Sequence, residues 1–141
     1  YVDDGSPAAK EIIRKITRLL SLGVSPVMLM SLPGDDRVVT SLVDAQGNLK
    51  PLNVKALEAA ACFLGGPILS SKEVPHPDLM KFRFAFLDRT VEVIWPKSEG
   101  YAQAIEVGKG GAVFDYQNKR LENTGNVPPE AAPIFVVSES R

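Results

Sequence analysis

The sequence predicts an α+β chain, with an α/β segment over residues 1–66 and an antiparallel β-sandwich over residues 67–141. Three observations predict this. Two helical stretches flank a short run that is apolar on both sides. The periodicity changes from helical spacing to alternation after Gly65-Gly66-Pro67. Beyond that point, short apolar stretches are separated by glycine, asparagine and proline turns.

The first helix is expected to start at Ser6, an N-cap residue, with Pro7 at the first helical position. Ile12, Ile13, Ile16, Leu19 and Leu20 recur at three- and four-residue spacing, and Lys10, Glu11, Arg14, Lys15 and Arg18 fill the other face. Gly23 supplies the left-handed residue that stops the helix. Val27, Met28, Leu29 and Met30 then run together without a polar break. A strand apolar on both faces fits burial in a parallel sheet. Its short link to the helix, Gly23-Val24-Ser25-Pro26, has the length of an α-to-β connection. Such a strand has two open edges and demands neighbours on both sides.

A polar loop covers residues 31–37, followed by an extended stretch over 38–43 and a turn at Asp44-Ala45-Gln46-Gly47-Asn48. Pro51 opens a second helix, with Asn53 as an alternative cap. Val54, Leu57, Ala61 and Leu64 form its expected apolar stripe, and Gly65 and Gly66 end it. Downstream, Phe82, Phe84 and Phe86 alternate with Lys81, Arg83 and Ala85, and Val91, Val93 and Trp95 alternate with Glu92 and Ile94. The two stretches form a hairpin around Asp88-Arg89. Further strands are expected at 102–107, 112–116 and 134–137, with turns at 108–111, Asn118-Lys119 and Gly125-Asn126. No internal repeat and no low-complexity tract is visible.

Charge narrows the function. Sixteen basic residues against seventeen acidic ones leave a net charge of -1, so there is no basic excess to neutralise phosphates and nucleic acid is not an expected partner. No apolar run approaches the ~20 residues of a membrane helix, so a membrane is not expected either. Cys62 is the only cysteine, which rules out an internal disulfide and leaves the compartment open.

Single residues divide between chemistry and structure. Asp35-Asp36 follows the apolar run and reads either as a contact to substrate hydroxyls or as a solvated turn after Pro33-Gly34. His76, between Pro75 and Pro77, reads as a rigid turn, since no serine motif or orienting acid accompanies it. One histidine and one cysteine do not make a zinc centre. Cys62 is expected to be a small buried apolar residue. Phe82, Phe84 and Phe86 are expected on the inner face of a sheet, and Trp95, beside Pro96, is the expected exposed aromatic for sugar stacking, with Tyr101 and Tyr116 as further candidates. Gly108-Lys109-Gly110-Gly111 lacks the residues and helix of a phosphate loop and reads as a turn, so no cofactor is expected.

The order of these parts resembles the end of the catalytic barrel in clan A retaining glycosidases, especially those like glycoside hydrolase family thirty-nine. There the eighth strand leads to a leucine–leucine–aspartate phrase, a glycine turn and a lysine–proline ending before the closing helix. Leu42-Val43-Asp44 and Gly47-Asn48-Leu49-Lys50-Pro51 look similar. The late strands of the family's accessory β domain are similar to Ala112-Val113-Phe114-Asp115-Tyr116-Gln117-Asn118 and to Ala132-Pro133-Ile134-Phe135-Val136-Val137.

The resemblance implies that residues 1–66 are the last unit of a (β/α)8, or TIM, barrel and residues 67–141 its accessory β-sandwich. It implies a carbohydrate substrate, a secreted or periplasmic parent, and the rest of the barrel as another chain or a missing segment. The family's acid/base and nucleophile lie at the ends of the fourth and seventh strands, upstream of this chain, so no catalytic residue is expected here. Ser31, Asp35 and Asp36 are then the expected substrate contacts at the barrel mouth. Met30-Ser31-Leu32-Pro33 lacks the aromatic that many relatives place there. The alternatives are a non-catalytic module that binds carbohydrate or protein, and a self-contained α+β domain whose helices cover one face of the sheet.

Overall fold

The computed structural model describes residues 6–24 and 42–139. These form helices α1 (Ser6–Ser21) and α2 (Pro51–Leu64), then strands β1 (Ser70–Glu73), β2 (Leu79–Ala85), β3 (Arg89–Pro96), β4 (Ile105–Glu106), β5 (Ala112–Phe114), β6 (Arg120–Leu121), β7 (Asn126–Val127) and β8 (Ile134–Glu139). The apolar run at 27–30 and the loop after it lie outside the described residues.

Helix α1 buries Ala9, Ile12, Ile13, Ile16 and Thr17. The expected face is present but ends a turn early, because Leu19 is 39% exposed. Gly23 closes the helix at φ +83°. Its N–H donates to the Leu20 carbonyl and that of Val24 to the Leu19 carbonyl, each at 3.0 Å, the double bond of a Schellman stop.

Helix α2 begins at Pro51, where a missing N–H costs nothing. Its buried side chains are Asn53, Ala56, Ala59, Ala60, Phe63 and Leu64. The stripe is therefore rotated from the expected one: Val54 and Leu57 are half-buried, and Ala61 and Cys62 are exposed. Three alanines let α2 lie close to α1, and Phe63 takes the inward position that Cys62, one residue back, cannot share.

Six strands form one sheet in the order β1-β2-β3-β8-β5-β6, with every pairing antiparallel. The turn of the β2–β3 hairpin is centred one residue earlier than expected, on Leu87-Asp88, because the Phe86 N–H bonds the Arg89 carbonyl at 2.8 Å. Cross-strand partners define the two faces. Phe82 faces Val93, Phe84 faces Val91, Val93 faces Phe135, and Phe135 faces Phe114. This face meets the helices: the Phe63 ring lies 4.5 Å from that of Phe114 and 4.9 Å from that of Phe135.

The other face is split. Leu79, Ile94, Ile134, Val136 and Val113 are buried, as are Ile105 of β4 and Val127 of β7, which pair in a separate two-stranded sheet. Nearer β1, Arg83 and Glu92 stand opposite each other and pair at 3.5 Å. Residues of both helices and both sheets belong to one continuous buried cluster. The chain is thus α+β. Among the described residues the partner sheet of the expected sandwich has two strands, and the helices pack on one face of the large sheet. The strand expected over 102–107 is shorter, at Ile105–Glu106.

Candidate functional site

Lys10, Arg14 and Arg18 recur every fourth residue on α1, so they stand one above another on a single stripe. That stripe borders a cleft of about 490 Å³. The opposite walls are the end of β3 at Trp95, Pro96 and Lys97, the following loop at Glu99 and Tyr101, and the short helix Pro129–Ala131.

Each cation is held differently. Lys10 Nζ lies 5.0 Å above the Tyr116 ring and donates to the Glu130 carbonyl at 3.2 Å. Arg14 meets Glu11, one turn back, at 3.4 Å, a long contact, and its Nε is buried with no hydrogen-bond partner. The Arg18 guanidinium lies 5.6 Å above the Trp95 ring. Lys97 Nζ donates to the His76 carbonyl at 2.7 Å. A guanidinium over a ring is oriented by the π face while its N–H edge keeps its donors. The cleft presents positive donors and an aromatic wall, with Glu11, Glu99 and Glu130 as acceptors beside them.

Ser31, Asp35 and Asp36 lie outside the described residues. His76 is the turn expected: its Nδ1 accepts the N–H groups of Asp78 and Leu79, both at 3.0 Å. Trp95 is not an exposed platform. It is 2% exposed and stacks on Phe82 at 5.3 Å, because the register puts it on the helix-facing side. Tyr116 is buried, whereas Tyr101 is half-buried and lines the cleft. The Gly108 to Gly111 segment is a turn bridged by Asn123, whose Nδ2 donates to both the Gly108 and Gly111 carbonyls. In the sequence the cationic stripe is simply the charged face of α1 opposite its isoleucines. The signal that could have marked it was the single sign of the charges at 10, 14 and 18.

Asp44 and Asp115 give two of the phrases that carry the resemblance a shared geometry. Asp44 Oδ1 accepts the N–H groups of Gln46 and Asn48, and Asp115 Oδ1 those of Gln117 and Lys119, all at 2.9 Å. In both, the aspartate N–H donates to the carbonyl four residues on. The fourth residue is left-handed in each case, Gly47 at φ +80° and Asn118 at φ +62°. The flanking pairs Val43–Leu49 and Phe114–Arg120 correspond as well.

No family model, curated protein or solved structure matches the chain. Among the described residues there is no cluster of metal-binding side chains, and no helix is long and apolar enough to cross a membrane.

Proposed function

We propose that this chain is the non-catalytic C-terminal portion of a retaining glycoside hydrolase, supplying the last barrel unit and an accessory β domain, with the catalytic carboxylates elsewhere. The observation that carries this reading is an apolar groove of about 570 Å³ between the C-terminal ends of α1 and α2, lined by Ile16, Leu20, Leu57, Leu64, Ile68 and Leu69. Leu69 is 64% exposed there, and Val24, which also lines the groove, is 43% exposed. Exposed apolar surface of this kind calls for a further layer. The order of parts agrees with the reading, since the Asp44 turn delivers the chain directly to Pro51 at the head of α2.

The test is turnover of a panel of aryl glycosides. The isolated chain is expected to hydrolyse none, and a chain extended upstream to include the remaining barrel strands is expected to hydrolyse at least one with retention. An inactive but folded extended chain, or activity in the isolated one, overturns the proposal. The cleft beside α1 favours a second reading, a module that binds carbohydrate without cleaving it. Equilibrium binding by the isolated chain, with no turnover in the extended one, would select it.

A further inference from the structure

We propose that the cleft between α1, the end of β3 and the Pro129–Ala131 helix binds a hydroxylated monocarboxylate, a sugar acid or a saccharide carrying one. That the ligand is a sugar rests on the carbohydrate reading above; that it is an anion rests on the cleft alone.

The charge lining the cleft sets the ligand's charge. Among the described lining residues, four cations, Lys10, Arg14, Arg18 and Lys97, stand against three carboxylates, Glu11, Glu99 and Glu130, an excess of one positive charge. A single carboxylate balances it. A phosphate dianion or a polyanion would bring excess negative charge against three acids.

Two of the cations are short of partners. Arg14 carries a buried Nε with none, and its contact to Glu11 is long. Arg18 makes no ion pair among the described residues and is positioned by Trp95 instead. Two guanidinium groups one helical turn apart offer planar forks that match the two oxygens of a carboxylate.

The remaining lining suits a hydroxylated body. Glu99 and Glu130 accept from hydroxyls, and Tyr101 offers a half-buried ring at the wall. An apolar carboxylate would make no use of those acceptors.

Trp95 is the only tryptophan and lies beneath Arg18, so its fluorescence reports on the cleft directly. The full chain would be titrated with glucuronate, glucose, inorganic phosphate and acetate. Glucuronate is expected to bind at least about tenfold tighter than each of the others, more weakly as salt rises. Arg18→Gln should weaken it about tenfold with an unchanged melting temperature. Arg14→Gln, read by isothermal titration, should do the same and serves if Arg18→Gln fails to fold.

Equal binding of glucose and glucuronate would overturn the anion site and leave the carbohydrate reading standing. Tighter binding of phosphate or acetate would overturn the sugar acid. Absence of binding by all four would overturn the cleft as a site, while the glycosidase reading would still stand or fall on turnover.

Discussion

Asp44 and Asp115 each hold a five-residue reversal by one carboxylate oxygen that accepts two backbone N–H groups. An alanine there strands both donors. The Asp115 turn is the more buried of the two, so water cannot replace the acceptor as well. Asp115→Ala is expected to cost about 1–3 kcal/mol in denaturant unfolding, and Asp44→Ala less. Asn118 occupies a left-handed position that Gly47 fills in the other turn. Asn118→Gly is therefore expected to raise stability by about 0.5 kcal/mol, because glycine adopts that conformation without steric cost. A loss of stability would show that the asparagine side chain matters beyond its backbone angle. These turns were readable as turns from Asp, Gly and Asn alone. That both phrases fold into one geometry was not, since the second lacks the glycine of the first.

Among the elements, the tip of the β2–β3 hairpin is tied to the end of α2 by Arg89. Its guanidinium donates to the carbonyls of Phe63 at 3.1 Å and Gly65 at 3.0 Å, while lying 4.1 Å above the Phe86 ring. Carbonyls in the last turn of a helix have no partner within it and carry partial negative charge, so a cation there satisfies both needs. Arg89→Met keeps the stem over Phe86 and removes the donors. It should lower stability by about 1–3 kcal/mol in urea unfolding, and Arg89→Lys should recover part of the loss. A change within error would mean that water serves these carbonyls equally well.

The same contact explains the displaced turn. Asp88-Arg89 looked like the tip because both residues are polar and Leu87 is not, yet Leu87 is 86% exposed and Arg89 is drawn into the strand. In α2, alanines at 56, 59, 60 and 61 left the buried side weakly marked by periodicity; Leu64 of the expected stripe is buried, but Phe63 beside it was not in that stripe. The face of α1 was legible because its isoleucines are confined to one side. A helix's polar side carries no sign of what stands opposite, so the cleft was not legible. The expected contacts Ser31, Asp35 and Asp36 lie outside the described residues.

At the scale of the molecule, helices and sheet share one buried cluster although the sequence changes character between them. Phe63 is the bridge, with rings of β5 and β8 against it. A shared core predicts a shared transition. Heating should give the same midpoint by far-ultraviolet circular dichroism, which follows the helices, and by Trp95 fluorescence, which follows the sheet. Phe63→Ala should lower stability by about 3–5 kcal/mol and move both midpoints together. Two separate midpoints would divide the chain into independent halves at Gly65-Gly66.

The outermost strands of the large sheet, β1 and β6, are brief and carry Lys72, Glu73 and Arg120. Pro67 precedes the first of them, and Pro75 and Pro77 follow it. Charges and prolines at such margins discourage a second copy from adding its own strand. The sheet is therefore guarded against fibril-like growth, and concentrated solutions should yield associations through the helical side rather than cross-β aggregates.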